Sequence, residues 1–260
     1  MSFTVIIPAR LKSSRLPNKP LADIDGKPMI VRVAERAQSC GAHRVVVAVD
    51  DERVAAPCRD AGLDVIMTDP HHPTGTDRLA EVVEKLGLND DEIIVNLQGD
   101  EPLMPLNVIR DVAALLASRP DCAMATAAHT IHDVESFFNP NVVKVVLDNR
   151  GTALTFSRAP IPWPRDHFRE TRDSLPDGFA PLHHLGLYAY RAGFLRRFPT
   201  LPQAPLEKLE SLEQLRALYY GERIAVMVLD AALPAGVDTA EDLERVRQVF
   251  AAGGLETSTL

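Results

Sequence analysis

The sequence predicts an α/β fold built on a doubly wound, mostly parallel β-sheet. Short, uninterrupted runs rich in β-branched residues, of which residues 3–7 are the first, are typical of strands buried on both faces. Up to about residue 130 these runs alternate with amphipathic segments of helical length, which indicates right-handed crossovers between parallel strands. A hydrophobic fraction of 46% in 260 residues is enough for a sizeable core.

In the first half, predicted strands alternate with predicted helices, and proline or glycine marks the expected ends of several of them. Pro8 is expected to end the first strand because proline cannot donate to a sheet ladder. Gly41, Gly62 and Gly87 each follow a helical pattern as its C-terminal stop. Strands are predicted at residues 3–7, 44–49, 64–67, 92–97 and 122–130, and helices from residue 28 to the stop at Gly41 and at residues 51–61, 76–86 and 105–118.

After about residue 131 the regular alternation of predicted strands and helices ends. Two apolar runs joined by a turn at 148–151 predict a β-hairpin, and a proline-rich stretch at 159–181 predicts a long loop. No internal repeat or sharp composition break divides the chain, so a single domain over 1–260 is expected. The hairpin strands are predicted at 142–147 and 153–156, later strands at 185–190 and 224–229, helices at 206–220 and 239–250, and a frayed tail at 251–260.

Composition excludes several function classes. A net charge of −8 argues against general nucleic-acid binding. No apolar run reaches the ~18 residues that a membrane span needs, so membrane insertion is not expected, and no signal peptide is recognised. Three cysteines (Cys40, Cys58 and Cys122) show neither metal spacing nor pairing logic, which favours a cytoplasmic location.

A cationic loop follows the first strand in this acidic chain. Arg10, Lys12, Arg15 and Lys19 occur before the first acid, Asp23. In an open α/β sheet, ligands bind beyond the carboxyl ends of the strands, where this loop would lie. It lacks the glycines of a Walker or dinucleotide motif, so charge would have to bind a phosphate. The alternative is a solvated basic loop.

Polar residues also follow the third and fourth predicted strands, at 68–78 and 98–102. If the sheet is parallel, these loops share one rim with the cationic loop. The mixture suits a nucleoside triphosphate with Mg²⁺, which prefers hard oxygen ligands. Taken alone, Asp100 could be a turn residue, and Asp238, just before the last helix, could be a helix cap.

The second half offers weaker candidates. Arg158 and His184 flank predicted strands, and both could be ordinary surface or core residues. Glu207, Glu210 and Glu213 fall on one predicted helix at i,i+3 spacing, together with Gln214. Such an acidic face is usually solvated; the alternative is hydrogen bonding to a polyhydroxylated substrate.

Eight segments together carry a specific resemblance that spans residues 2 to about 250. The chain resembles the nucleotidyltransferases that join CTP to acidic sugars, and within them the 3-deoxy-manno-octulosonate cytidylyltransferases. Residues 166–180 depart from the pattern. The segments are VIIPAR (5–10), RLPNKPL (15–21), GKPMI (26–30), GTDRLA (75–80), VNLQGDEP (95–102), FSRAPIPW (156–163), HLGLYAYR (184–191) and LEQLR (212–216).

This resemblance implies transfer of CMP from CTP to the anomeric hydroxyl of 3-deoxy-D-manno-octulosonate (Kdo), with release of pyrophosphate, for lipopolysaccharide biosynthesis. It also implies Mg²⁺, a homodimer, and a Rossmann-like nucleotidyltransferase fold with a smaller hairpin and helix subdomain. Residues 1–130 would mainly bind nucleotide, 131–230 would bind sugar and form the dimer, and 231–250 would return to the core. The alternatives are a sialic-acid cytidylyltransferase and a nucleotide-binding regulatory module.

Residue roles follow from the same resemblance. Arg10, Lys19 and Asp100 are expected to be catalytic, the two cations by stabilising the triphosphate. Asp100 and Asp238 would hold the metal. The nucleotide site would comprise Arg10, Arg15, Lys19, Thr74, Gly75, Arg78 and Gln98, and the sugar site Arg158, His184, Glu213 and Gln214.

Overall fold

The computed structural model describes residues 2–11 and 16–253. The strands are β1 (Phe3–Ala9), β2 (Asp23–Ile24), β3 (Lys27–Pro28), β4 (Arg44–Val49), β5 (Asp64–Met67), β6 (Ile93–Asn96), β7 (Met124–Thr130), β8 (Lys144–Leu147), β9 (Ala153–Ser157), β10 (Leu182–Arg191) and β11 (Ile224–Leu229). The helices are α1 (Met29–Gln38), α2 (Glu52–Asp60), α3 (Gly75–Leu86), α4 (Leu106–Ser118), α5 (Val134–Phe138), α6 (Arg165–Glu170), α7 (Ala192–Arg197), α8 (Pro205–Glu210), α9 (Gln214–Tyr219) and α10 (Ala240–Ala251), with 3-10 turns at Lys19–Leu21 and Phe198–Thr200.

Two compact units divide the chain. The first takes Met1–Ala114, Ala189–Thr200 and Leu233–Leu260, and the second takes Leu115–Tyr188 and Leu201–Ala232. Within the part of the chain that the structure describes, no helix is both long and apolar enough to cross a membrane.

The first unit is built on parallel strands, as the sequence predicts. β1 lies between β4 and β6 and is parallel to both, and β4 pairs in parallel with β5. The side chains of Val5, Ile6 and Ile7 are completely buried, so β1 forms the centre of this core. Because the strands run the same way, their carboxyl ends form one edge, and the loops that leave this edge carry the candidate residues.

The predicted end of β1 at Pro8 is wrong. β1 continues to Ala9, and Pro8 lies in register with Ala48 of β4. On its other side, β6 has already ended at Asn96, opposite Ile6. The Ile6 carbonyl accepts from Leu97 on the β6 side, and residues two apart in a strand point the same way. The missing N–H of Pro8 therefore faces the region beyond β6, where no ladder bond is lost.

The second unit contains the predicted hairpin. β7 lies between β11 and β10 and is parallel to β11. β8 pairs antiparallel with β9, as expected, and also with β10. The proline-rich stretch is not a continuous loop, because α6 lies within it. Phe168 of α6 is buried against Phe137 of α5, and this aromatic cluster is the reason that the segment folds.

The predicted helix at 206–220 is wrong, because it is broken into α8 and α9. Ser211 adopts a left-handed φ of 51°, a conformation that a continuous right-handed helix cannot include. The acids predicted to share one face are thereby separated. Glu207 and Glu210 lie on α8, whereas Glu213 immediately precedes α9.

Glu207 is also not solvated. It forms a buried ion pair with Arg216 of α9, with Oε1 2.5 Å from Nη2 and both side chains 5% exposed. A second contact joins Arg216 Nε to Glu207 Oε2 at 2.9 Å. This bidentate pair fastens α8 to α9 across the break and gives Glu207 a structural role.

Replacing Arg216 with Met is expected to destabilise the protein by about 3–5 kcal/mol, because the Glu207 carboxylate would stay buried without its counter-ion. Urea unfolding followed by circular dichroism measures this loss. The double variant Arg216→Met, Glu207→Leu should recover much of the loss, since no charge is then buried. Equal stability of the Arg216→Met variant and the parent protein would contradict this account.

Candidate active site

Three predicted residues from distant parts of the first unit meet in one cluster. Lys19 Nζ donates to Asp100 Oδ2 at 2.6 Å, to the Val237 carbonyl at 2.9 Å and to Asp238 Oδ1 at 3.0 Å. We call Lys19, Asp100 and Asp238 the lysine–carboxylate cluster. The Lys19 side chain is 16% exposed, whereas those of Asp100 and Asp238 are 30% and 46% exposed. The carboxylates are therefore open to a ligand.

Two glycines allow the loops of this cluster to approach. A Cβ at Gly99 would lie 3.0 Å from the Pro8 carbonyl oxygen, so only glycine brings the β6 loop this close to the end of β1. A Cβ at Gly236 would lie 2.9 Å from Glu101 Oε1. Val237 N then donates to the Asp100 carbonyl at 2.9 Å, which ties the two carboxylate-bearing loops together.

Asp238 is not the cap of α10. Thr239 is the N-cap: its hydroxyl oxygen accepts from Asp242 N at 3.2 Å, and Asp242 Oδ2 accepts from Thr239 N at 3.0 Å. This capping box satisfies the start of the helix without the Asp238 carboxylate. The cap interpretation of Asp238 is therefore wrong, and its carboxylate contacts Lys19.

The cluster is electrostatically coupled. Burial alone would lower the pKa of the Lys19 ammonium, but hydrogen bonds and charge from Asp100 and Asp238 outweigh it and raise the pKa above 10.5. Burial also raises the pKa of the neighbouring Glu101 from 4.5 to about 7, with help from the negative charges of Asp100 and Asp238. Glu101 is thus partly protonated near neutral pH.

Glu101 is expected to make stability fall as pH rises. Its folded-state pKa lies above its unfolded value, so the stabilisation is complete below pH 4.5 and is lost as pH rises through about 7. At about 1.4 kcal/mol for each pH unit between the two pKa values, the loss is roughly 3 kcal/mol. Urea unfolding at pH 5 and pH 8 tests this: the change should be much smaller in Glu101→Gln, and an identical change in both proteins would contradict it.

The donor set suits a hard divalent cation. Asp100 and Asp238 offer carboxylate oxygens around one point and are open enough for waters and phosphate oxygens to complete a coordination shell. Among residues 2–11 and 16–253, no group of three or more His, Cys, Asp or Glu side chains is arranged to hold a metal. The protein could therefore supply two carboxylates here, with a substrate completing the site.

The expected nucleotide residues lie on loops and at the start of α3 in the same unit. Arg10 Nη2 donates to the His72 carbonyl at 2.9 Å, which joins the β1 loop to the loop before α3. Thr74 is the N-cap of α3, and Gly75 is its first residue. Gln98 lies in the β6 loop, half-buried, two residues before Asp100. Arg15 falls outside the described residues.

Arg78 is fully buried, which its prediction as a nucleotide contact does not anticipate. Its Nη2 donates to Asp50 Oδ2 at 2.9 Å, and Nη1 donates to the hydroxyl of Thr68. Its Nε has no hydrogen-bond partner in the described part of the chain. The guanidinium is therefore committed mainly to holding the ends of β4 and β5.

The sequence analysis assigns no role to two acids at this edge. Asp50 follows β4 directly and binds Arg78, and Glu101 follows Asp100. Asp50 carries a signal that the sequence shows, because it is a polar residue directly after a predicted strand, in the same position as the polar residues at 68–78 and 98–102.

In the second unit, Arg158 is held by hydrogen bonds to Glu210, Pro140 and Lys144. Glu210 Oε2 accepts from Arg158 N at 2.9 Å, and the Glu210 carbonyl accepts from Arg158 Nε at 2.6 Å. Arg158 Nη1 donates to the Pro140 carbonyl at 2.9 Å, and the buried Lys144 Nζ donates to the Arg158 carbonyl at 2.8 Å. None of these contacts uses Nη2. Glu210 therefore orients Arg158 and is not a solvated acid.

The other expected sugar residues lie in the same unit. His184 on β10 is buried, with Nε2 3.1 Å from the Thr126 hydroxyl oxygen. Glu213 is half-buried at the start of α9. Gln214, the first residue of α9, is buried, and its Nε2 has no hydrogen-bond partner among the described residues. A buried amide without a partner is costly unless a ligand accepts from it.

Comparisons with known proteins agree with this architecture. A family model described as Cytidylyltransferase matches residues 4–224. The solved structure of CMP:2-keto-3-deoxy-manno-octonic acid synthetase complexed with CTP is 42% identical to this chain. The alignment covers 97% of this chain and 100% of that one, with a TM-score of 0.85. Asp238 lies beyond the family-model match but within the extent of the chain that this structure spans.

Two more distant structures share the fold. A cytidylyltransferase from Leptospira borgpetersenii serovar Hardjo-bovis is 15% identical, covering 97% of this chain and 87% of that one, with a TM-score of 0.63. HddC from Yersinia pseudotuberculosis is 15% identical, covering 95% and 99%, with a TM-score of 0.61. At this identity they show the predicted α/β class only.

Proposed function

Because this chain belongs to the cytidylyltransferase family, we propose that it transfers CMP from CTP to the anomeric hydroxyl of Kdo and releases pyrophosphate. The observation that carries this proposal is the 42% identity, over 97% of the chain, to a synthetase of CMP-activated 2-keto-3-deoxy-manno-octonic acid, another name for Kdo. Activated Kdo is consumed in lipopolysaccharide biosynthesis, where we place the reaction.

In this reaction the sugar oxygen forms a bond to the α-phosphorus while the bond from that phosphorus to the pyrophosphate oxygen breaks. The hydroxyl proton is released, and we assign no protein base to it. Such transfers depend mainly on positioning and charge neutralisation. The first unit supplies both, since Arg10 and Lys19 are cations on the loop that follows β1.

To bind a phosphate oxygen, the Lys19 ammonium must give up one of its present hydrogen bonds. Its ammonium has three N–H groups, and all three are directed to Asp100, Asp238 and the Val237 carbonyl. When the carboxylates take another cation, the ammonium is released toward the triphosphate oxygens. The carboxylates thus hold Lys19 in place and keep it charged before substrate binds.

Cytidylyltransferases generally use a divalent metal ion, and we propose Mg²⁺ held by Asp100 and Asp238. The ion would neutralise phosphate charge and lower the pKa of the attacking sugar hydroxyl. The open carboxylate pair and its hard oxygen donors support this assignment. Residues 74, 75 and 98, with Arg15, complete the proposed nucleotide site, and Arg78 would support it by holding the ends of β4 and β5.

The second unit would bind the sugar. Arg158 is fixed through Nε and Nη1, and within the described part of the chain no contact uses its second Nη1 proton or its Nη2 protons, which would bind the Kdo carboxylate. His184, Glu213 and Gln214 would contact hydroxyl groups. On this proposal residues 1–130 and 231–250 mainly serve the nucleotide, and 131–230 serve the sugar and the dimer.

We also propose a homodimer in the cytoplasm. Large hydrophobic side chains are exposed on the second unit: Leu209 of α8 is 82% exposed, and Leu206, Leu154, Tyr219 and Val228 are all exposed. A second copy covering this surface would account for them. The three free, buried cysteines are in keeping with a reducing compartment.

Replacing Leu209 with Arg is expected to give a monomer, because a charge would be buried in the proposed interface. Light scattering coupled to size exclusion measures the mass. The exposed Ala56 lies on α2 in the first unit, and Ala56→Arg should leave the mass unchanged. A wild-type protein that runs as a monomer would contradict the dimer.

The function is tested by mixing the pure protein with CTP, Mg²⁺ and either Kdo or N-acetylneuraminate, and by following pyrophosphate release and the mass of the product. We expect release, and a CMP–sugar, with Kdo only. Release with the sialic acid would favour the rival cytidylyltransferase, and release with neither sugar would contradict the proposal.

A further inference from the structure

The hydroxyl of Thr126, a buried residue on β7, has more neighbours than it has protons. Its Oγ1 lies 2.8 Å from the Leu187 carbonyl oxygen, 3.0 Å from the Leu185 carbonyl oxygen and 3.1 Å from His184 Nε2. A hydroxyl carries one proton and two lone pairs. The two carbonyls can only accept, so they compete for that proton.

This arrangement fixes which nitrogen of His184 carries hydrogen. If Thr126 donated to His184, both carbonyls would face an oxygen lone pair at 2.8–3.0 Å with no proton between. If Thr126 donates its proton toward the carbonyls instead, its lone pair accepts from His184 Nε2–H, and at most one carbonyl contact is left without a proton. Because buried polar groups are costly when unpaired, the second arrangement is favoured.

His184 has only one ring proton to place. Burial lowers its pKa to about 3, with a smaller contribution from His183, so the ring is neutral at physiological pH. The ring also packs edge-on against Phe156 at a centroid distance of 4.9 Å, which holds its plane. With hydrogen on Nε2, the other nitrogen, Nδ1, presents a lone pair.

A matching donor lies in the same unit. Gln214 is buried, and its Nε2 has no hydrogen-bond partner among the described residues. It opens α9, the helix that packs on β9, and β9 carries the Phe156 ring against which His184 rests. A sugar hydroxyl can accept from an amide N–H and can donate to an imidazole lone pair, so both groups suit hydroxyl recognition.

We propose that Thr126 is a positioning residue: it selects the Nε2–H form of His184 and so makes Nδ1 an acceptor for a Kdo hydroxyl. This inference rests on the proposed function. Gln214 supplies the complementary donor. Thr126 touches no substrate itself and acts only through the His184 ring.

The neighbouring His183 provides an internal reference with the opposite form. His129 Nδ1 lies 3.0 Å from the Thr130 carbonyl, which can only accept, so this nitrogen carries the hydrogen of His129. His129 Nε2 then accepts from His183 Nδ1 at 3.0 Å. Burial lowers the pKa of His183 to about 4, so His183 is neutral and has its only hydrogen on Nδ1.

The test uses nitrogen-15 NMR of the histidine rings and steady-state kinetics on the wild type, Thr126→Val and Thr126→Ser. We expect His184 to carry hydrogen on Nε2 in the wild type and in Thr126→Ser, and to lose that preference in Thr126→Val, while His183 keeps its Nδ1–H pattern in all three. The KM for Kdo should rise about tenfold in Thr126→Val, as for the loss of one hydrogen bond, with the KM for CTP and kcat within about twofold.

Hydrogen on Nδ1 of His184 in the wild type would overturn the inference, whether or not the valine variant folds. So would an unchanged KM for Kdo in a folded Thr126→Val protein that has lost the Nε2–H form. Failure of the wild type to make CMP–Kdo would remove the proposed function, while the ring spectrum would still report the tautomer.

Discussion

Replacing Asp100 with Asn is expected to lower kcat by about 10³-fold or more, at the upper end of what one electrostatic contact supplies to a transition state. The amide keeps the size of the side chain and an oxygen for Lys19, so the fold should persist. It removes the negative charge that we assign to metal binding and to holding the ammonium. Pyrophosphate release at saturating CTP and Kdo measures the change, and circular dichroism checks the fold.

Asp60→Asn is the matched control. Asp60 is an exposed residue at the end of α2, away from the lysine–carboxylate cluster, and its variant should retain wild-type kcat. A folded Asp100→Asn protein with a wild-type rate would remove Asp100 from the reaction.

Replacing Lys19 with Met is expected to lower kcat/KM by about 10²–10³-fold, mainly through binding and stabilisation of the triphosphate. A charge contact at ~4 Å in an effective dielectric near 20 is worth roughly 4 kcal/mol before desolvation, which is consistent with this size. The variant also leaves Asp100 and Asp238 without their shared cation. Kinetics with CTP as the varied substrate measure the effect.

Lys27→Met controls for the loss of a lysine charge. Lys27 lies on β3 and pairs with Glu35 at the surface, where ion pairs contribute little. Its variant should have the parent kcat/KM. If Lys19→Met behaves like Lys27→Met, the cationic loop does not serve the triphosphate through Lys19.

The elements of the first unit could be predicted because local signals coincide there with tertiary packing. β4 and β5 are found at the predicted residues, since each is a short, mainly apolar run that also pairs in parallel with a neighbouring strand. Glycine stops were equally informative: Gly62 and Gly87 both adopt positive φ directly after their helices.

The elements of the second unit were harder to predict, because they depend on contacts between residues that are distant in the sequence. A left-handed Ser211 has no sequence signature, since glycine or asparagine is the usual residue there. The Glu207–Arg216 pair spans nine residues and exists only because the helix is broken between them. α5 and α6 are one-turn or two-turn helices that depend on the Phe137–Phe168 contact, which joins residues far apart in sequence.

The sequence pattern, without the family resemblance, predicted only some residues of the candidate site. Charge clustering and strand order pointed to Lys19 and Asp100, and the structure joins them at 2.6 Å. Asp238 came from family resemblance, because before a helix it looks like a cap. In the structure Thr239 is the cap, as its position at the start of the predicted helix 239–250 also indicates. The raised pKa of Glu101 could not be predicted from the sequence, because it comes from burial beside the Asp100 and Asp238 carboxylates, which only the structure shows.

The most direct test of the central claim is a crystal of this protein grown with CTP and Mn²⁺, measured at the manganese absorption edge. We predict an anomalous peak bonded to the Asp100 and Asp238 carboxylates, with Lys19 Nζ turned from them to the triphosphate. A metal and triphosphate bound away from both carboxylates, with Lys19 still paired to them, would contradict the account.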